Sequence, residues 1–256
     1  MILKMKNYNG NCEFTKEYLK LLRQFWNLKN NLEICDTRKI LKIFRDKFSK
    51  FNNSQEHDAQ EVLFLILDIL HKSIRFETST RNVENVEWNK KKNSLVKDLF
   101  YGQIEKSVIY PGGKSVTLEN CANVMFTPTK NTSLEELLTD FKKDEVIQGY
   151  KDNTDKQHHV AILKNELINQ PRNLIFSFNM YFKKFKINIP QTLGNYKLVA
   201  CCVHYGNLGS GHYIAITKHK GKWYLKDDDK VHECTNEKEL EFNDSFYFCI
   251  FKNSSI

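Results

Sequence analysis

The chain has 256 residues, 41% of them hydrophobic and 27% charged, with a net charge of +8 at neutral pH. That is enough chain to bury a sizeable core, and its composition is that of a globular protein rather than a disordered or fibrous one. The lysines are scattered, the longest basic run is only Lys90–Lys92, and no basic segment is interleaved with aromatics, so the charge reads as a solvated surface and argues against a nucleic-acid groove. The first residues, MILKMKNYNG, lack the pattern of a secretory signal. The longest apolar run, VLFLILDIL, is interrupted by Asp68 and falls short of the ~18 residues of a membrane span. Seven cysteines with no CxxC pair predict free thiols in a reducing compartment, with neither a disulfide frame nor a zinc site.

The elements before residue 100 carry helical spacing. TKEYLKLLRQFWNL places Tyr18, Leu21, Leu22, Phe25 and Trp26 on one side of a helix. DTRKILKIFRDKF does the same with Ile40, Leu41, Ile43, Phe44 and Phe48, with Asp36 or Thr37 as its N-cap. SQEHDAQEVLFLILDILHKSIRF predicts a longer helix capped by Ser54, with Glu56 and Asp58 in its first turn. Apolar residues nearly encircle it, so a buried central position is expected.

After residue 100 the pattern turns to strands. GQIEKSVIY and KSVTLENC flank the turn signal Pro111-Gly112-Gly113. SLEELLTDF is a short helix with a capping box of Ser133 and Glu136. HHVAILKNEL, NLIFSFNMYFKKFKINI, YKLVACCVHYG, HYIAITK, KWYLK and DSFYFCIFK all read as strands. A helical half followed by a sheet half is an α+β chain.

HYIAITK and KWYLKD form a hairpin around HKG. A three-residue loop closing on Gly221 pairs Lys218 with Lys222 and sets His212 opposite Asp228; a two-residue loop sets it opposite Asp227. Either register brings an imidazole beside a carboxylate, which fixes one ring nitrogen and leaves the other as a base. Gly209 and Gly211 would let a substrate chain approach. A surface ion pair on an edge hairpin would present the same residues.

GSGHYIAITKHKGKWYLKDDDKV resembles the histidine box of the ubiquitin-specific proteases, a G-H-Y strand followed by W-x-x-x-D-D. FNNSQEHDAQEVLFLILDILH is similar to their Q-x-D-A-Q-E-F-L helix, and DLFYGQIEKSV to the L-F-x-G-x-x-x-S strand after it. LIFSFNMYFKKFKINIP, YKLVACCVHYGNLGSGHY and DSFYFCIFK fit further blocks in order, so the resemblance covers roughly residues 14–252. It implies a papain-like cysteine protease fold of thumb, palm and fingers, in one catalytic domain whose helical thumb is residues 1–99 and whose fingers and palm sheet are residues 100–256. It also implies thiol-dependent hydrolysis of the bond after the C-terminal glycine of ubiquitin. In that frame His212 is the general base, Asp227 orients it, Asp228 is the adjacent carboxylate, and Asp58 holds the ubiquitin tail; no cofactor is implied. Ubiquitin or ubiquitinated proteins are the partners, in cytoplasm or nucleus.

The family's G-N-x-C nucleophile box is not intact. Its closest counterpart is YNGNCEFTKEY, with Gly10, Asn11 and Cys12, and TKEYLKLLRQFW resembles a later thumb helix. Cys12 precedes a helix and lies before the histidine, as the chemistry requires; the alternative is an ordinary thiol, with the box upstream of Met1 or lost. Cys35 has no box around it, and Cys201 and Cys202 read as packing. A chain without the nucleophile would be a ubiquitin-binding module that keeps the fold. Many members of the family carry two CxxC pairs in the fingers; the corresponding turns here read YPGG and KDNTD, and His158, His159 and Cys121 remain as metal-capable side chains.

Overall fold

The computed structural model describes residues 12–27, 35–76, 93–179, 183–207, 210–235 and 245–255. Gly10, Asn11, Lys90–Lys92, Gly209 and the side chain of Trp26, all used above, lie outside the described residues. The chain divides into two compact units, Met1–Asp98 and Leu99–Ile256.

The first unit is helical: α1 (Glu13–Asn27), α2 (Arg38–Lys47) and α3 (Ala59–Ser73), with a two-residue ladder of β1 (Arg75–Phe76) and β2 (Asn93–Ser94). Its core is aromatic. Phe44 of α2 lies 6.2 Å from Phe14 of α1 and 5.2 Å from Phe51, ring to ring, and all three are buried. Thr15 and Ser73 share a buried 2.5 Å hydroxyl hydrogen bond that ties α1 to α3. In α2 the expected apolar face is narrower than the sequence suggests: Phe44 is buried and Leu41 is exposed. Thr37 stands at its N-cap without a side-chain bond, while Asp36 accepts from the Arg38 backbone N–H.

Two expectations for α3 are corrected. Ser54 does not cap it, and Asp58 is not within its first turn. The chain bends through residues 52–55, where Asn53 Oδ1 accepts from the Gln55 N–H and contacts His57 Nε2. The helix starts after Asp58, which is extended and accepts from the N–H groups of Gln60 and Glu61 at 2.7 and 3.2 Å. A carboxylate at this position satisfies two otherwise unpaired donors and opposes the helix dipole, so it takes the cap ahead of the upstream serine. Leu67, Ile69, Leu70 and Ser73 are buried and Lys72 is exposed, but the other residues of α3 are half-buried, so the helix is less enclosed than its sequence suggests.

The second unit is built on two sheets. The smaller is antiparallel, in the order β4-β3-β8-β7, from β3 (Gly102–Tyr110), β4 (Gly113–Cys121), β7 (Glu145–Lys151) and β8 (Gln157–Ile168). The larger has eight strands, in the order β15-β14-β13-β12-β16-β9-β5 with β11 beside β12. These are β5 (Val124–Phe126), β9 (Asn173–Phe178), β11 (Thr192–Leu193), β12 (Tyr196–Asn207), β13 (Ser210–His219), β14 (Lys222–Asp227), β15 (Lys230–Cys234) and β16 (Phe246–Asn253). Residues 174–178 of β9, LIFSF, are buried on both faces, as expected for an uninterrupted apolar run in mid-sheet. The strand ends there rather than running on through KKFKINI: Asn179 turns its N–H to Phe126 O, and only β10 (Ile187–Asn188) resumes, parallel to β6 (Thr132–Ser133). The helix Leu134–Phe141 carries the expected capping box, Ser133 with Glu136. Among the described residues no helix is long and apolar enough to cross a membrane.

The two turns at the tip of the smaller sheet are held by side chains of this chain. Pro111–Gly112 closes the β3–β4 hairpin, with Gly112 at φ 92°. In the β7–β8 turn, Asp152 Oδ1 accepts from the Thr154 and Lys156 N–H groups and the Thr154 hydroxyl, and Oδ2 pairs with His158 Nε2 at 2.8 Å. The His158 and Asp152 side chains are only 5% and 10% exposed, and the Tyr110 ring lies 4.5 Å from the imidazole. His158 and His159 point to opposite faces, and Cys121 ends β4 at the far end of the hairpin, so these three are not gathered into one site. The His158 and Thr154 bonds hold the Asp152 carboxyl well below the usual carboxylate range. Its contribution to the turn is therefore present above the unfolded value of about 3.9 and is lost as the pH falls toward the lowered one. Asp152→Ala is expected to raise amide hydrogen exchange at Thr154 and Lys156 at least about tenfold, leaving β3–β8 ladder amides unchanged; equal exchange in both proteins would contradict this role.

Candidate active site

His212 is placed by how β13 meets its two neighbours. On one side β12 pairs with β13 through Cys201↔Ile216, Val203↔Ile214, Tyr205↔His212 and Gly206↔Gly211. Cys201, Val203, Ile214 and Ile216 are all buried, so alternation puts His212 on the core-facing side of the sheet, beyond the last buried pair. The glycine pair lets the strands approach. Gly206 has φ 114°, and a Cβ on Gly211 would fall 2.1 Å from His204 Nε2 and 2.5 Å from Tyr205 O. The space at Gly211 is thus taken by the protein's own β12, not left for a substrate as the sequence reading expected.

On the other side the β13–β14 register differs from both readings made above. The loop is Lys220–Gly221, both at positive φ (48° and 85°), so His219 pairs with Lys222 and Ala215 with Lys226. This is the backbone of a type I′ turn, whose twist suits a two-residue hairpin; the three-residue loop is not formed. Continued along the strand, the register would bring Asp229 opposite His212. The strand stops first: Asp227 pairs with Lys230 of β15, and the chain turns at Asp228, itself at φ 51°. His212 instead reaches diagonally to Asp227, Nε2 to Oδ1, at 2.6 Å. Asp227 falls opposite Ile214 in the continued register, which is why the two side chains share a face.

The pair is open to solvent, with side-chain exposures of 47% and 43%. The hydrogen bond to Asp227 raises the pKa of His212 above its ordinary value; partial burial opposes this, and the charges of Asp227 and Asp228 reinforce it. The ligand-capable atoms of His212, Asp227 and Asp228 lie within 4.8 Å of one another, the one such trio among the described residues that could share a cation. Its closest internal contact already uses Nε2 as donor to Asp227, which leaves Nδ1 with a lone pair. Chemically this is a base with an oriented ring.

All seven cysteines are free. Burial pushes the Cys121 thiol up to about 11 and Cys201 up to about 12, and Cys249, fully enclosed, is also raised. These thiols stay protonated at neutral pH and serve as packing; Cys202 is likewise buried. Cys12 is half-buried at the head of α1, where its carbonyl accepts from Lys16 N–H at 3.1 Å, and Cys35 precedes α2. Asp58, in the first unit, uses Oδ1 for its cap bonds, and Oδ2 has no partner among the described residues. The sequence reading did not place Tyr205, which pairs with His212 in the β12–β13 ladder.

With the His212 pKa raised, the pair's stabilising effect is present below the ordinary imidazole range and is lost as pH rises through the raised value. Asp227→Asn is expected to move the His212 midpoint down toward or below about 6.5, read from the imidazole C–H resonances; an unchanged midpoint would contradict the coupling.

Residues 2–251 match the family described as ubiquitin carboxyl-terminal hydrolase. The chain is 25% identical to ubiquitin carboxyl-terminal hydrolase Usp2 of Drosophila melanogaster over 88% of its own length and 28% of that protein's. It is 23% identical to the probable ubiquitin carboxyl-terminal hydrolase 4 of Schizosaccharomyces pombe, over 95% of this chain and 51% of that one. The fold is similar to a chain of the SAGA Ubp8/Sgf11/Sus1/Sgf73 DUB module bound to ubiquitin aldehyde, with a TM-score of 0.75 and 17% identity over 98% of this chain and 61% of that chain. The chain thus spans from about a quarter to about three-fifths of these three proteins. With the ordered sequence blocks and the His212–Asp227 geometry, the match over residues 2–251 places this chain in the ubiquitin carboxyl-terminal hydrolase family.

Proposed function

We propose that the chain is a deubiquitinating cysteine hydrolase, cleaving the peptide or isopeptide bond after the C-terminal glycine of ubiquitin. The observation that carries this reading is the His212–Asp227 hydrogen bond, which leaves Nδ1 free as a base, in a chain of this family. His212 takes the proton of a cysteine thiol, and the thiolate attacks the carbonyl carbon. The resulting imidazolium returns its proton to the leaving amine, and a thioester forms. Water, deprotonated by His212, then releases the ubiquitin carboxylate and restores the thiol. Asp227 orients the ring and stabilises the imidazolium, and Asp228 adds negative charge beside it. Asp58 holds the ubiquitin tail through its uncommitted Oδ2. The two units act as one catalytic domain without a cofactor, on ubiquitin or ubiquitinated proteins rather than nucleic acid or membrane, and within the cell, in cytoplasm or nucleus; seven free thiols support a reducing compartment.

The absence of an intact cysteine box around Cys12 favours a second reading, a ubiquitin-binding module without chemistry. A ubiquitin probe with a thiol-reactive C-terminus separates them. A covalent adduct lost in Cys12→Ser supports the hydrolase with Cys12 as nucleophile. Ubiquitin binding without an adduct, weakened at least about tenfold in Asp58→Asn, supports the module; asparagine keeps the cap and removes the charge. Neither adduct nor binding would overturn both.

A further inference from the structure

His204 of β12 is held from several directions. Its backbone N–H donates to Ser245 O at 2.8 Å, just ahead of β16, and its carbonyl oxygen accepts from Lys184 Nζ at 2.8 Å. Its ring lies 4.5 Å from that of Tyr213, its direct partner on β13, and 6.0 Å from that of Tyr247 on β16. Tyr213 and Tyr247 stand 5.5 Å apart, which closes a triangle of rings drawn from three adjacent strands. The tip of the imidazole, Nε2 and Cε1, also fills the space where a Cβ on Gly211 would lie.

Gly211 and Tyr213 are the two chain neighbours of His212. The His204 ring therefore meets the backbone before the base and the side chain after it, while His212 itself projects to the other face and bonds Asp227. Gly206 and Gly211 pair directly across the ladder, and glycine leaves a backbone its widest freedom. Neither has a side chain to fix the strand there; the restraint comes from His204.

We propose that His204 is a positioning residue for His212: anchored by Ser245, Lys184 and Tyr247, its ring pins Gly211 and Tyr213, so that the base between them keeps its Asp227 hydrogen bond through both proton transfers. It acts through the backbone and touches no reacting atom. Its catalytic meaning rests on the hydrolase reading, and its geometry does not. A reacting group must be held to within about 0.5 Å, which calls for a supporting layer of this kind.

The test is an NMR titration of the His212 ring protons in the full chain and in His204→Ala and His204→Phe, with Ile214 and Ile216 amide protection as the check that the ladder persists. Asp227 and Asp228, the charged groups beside His212, are unchanged in both variants. In the alanine variant the Asp227 bond is formed less of the time, so the His212 midpoint is expected to fall toward about 6.5. The phenylalanine variant keeps a ring against Tyr213 and Tyr247 and should titrate like the unmodified chain. An unchanged midpoint in alanine, or a fall in phenylalanine as large as in alanine, would overturn the inference. If alanine disrupts the ladder, Lys184→Met carries the comparison, since it removes only the hydrogen bond to the His204 carbonyl: a smaller fall in the same direction supports the inference, and no change overturns it. With a ubiquitin–fluorophore conjugate, kcat should fall at least about tenfold in His204→Ala with KM little changed, and His204→Phe should retain it. A chain that never hydrolyses the conjugate removes the hydrolase reading and leaves the titration result standing. A chain that hydrolyses it while His212 titrates indifferently to His204 removes this inference alone.

Discussion

The register of one hairpin decides which carboxylate meets the His212 imidazole. Lys220 and Gly221 both adopt left-handed backbone, and that two-residue turn fixes every pair from His219↔Lys222 to Ala215↔Lys226. A one-residue slip would move Leu225 and Asp227 to the other face of the sheet and set Asp228 opposite His212 in place of the Asp227 contact. Holding Lys220 at positive φ costs about 1–2 kcal/mol. Fully burying Ile214 and Ile216, 5% and 2% exposed, stabilises by about 1.5–3 kcal/mol each, and the register matches Leu225 against Ile216. Packing wins, so the core dictates the turn conformation. His212 follows two residues beyond Ile214 on the same face, where the core gives way to solvent.

The second strand junction adds what the first cannot. Asp227 is both the last residue of β14 and the partner of Lys230, so the acid that holds the imidazole is tied into two ladders at once. The turn behind it places Asp228 at positive φ, a conformation that aspartate adopts more readily than most side chains. Three consecutive aspartates thus divide the work: one bonds the ring, one adds charge beside it, and one completes the turn.

Much of this was legible in the chain. The change of texture near residue 100 corresponds to the division at Asp98 and Leu99, because helical spacing and strand alternation are local properties. The Ser133–Glu136 capping box was readable for the same reason. The proximity of an imidazole and a carboxylate was also readable, since any near register of that hairpin brings them together. What could not be read were outcomes of competition. Asp58 displaced Ser54 as the cap because Asn53 drew the chain into a bend. The turn shortened by one residue because the buried faces of Ile214 and Ile216 had to match Leu225. Gly211 looked like an opening for substrate, yet its space belongs to His204 and Tyr205 of the neighbouring strand. Each depends on a partner distant in sequence or on a choice between two local solutions of similar energy.

The thiols separate along the same physical line. Cys201 and Cys249, directly paired on adjacent strands, are enclosed by the core and held protonated, whereas Cys12 is half-buried at the head of α1, outside that core. The proton that Asp227 holds on Nε2 of His212 is what orients the ring. Long-range nitrogen–proton correlation of the His212 ring, recorded above its pKa, tests this directly: the Nε2–H tautomer with a bare Nδ1 is expected, and a ring protonated chiefly on Nδ1 would contradict it.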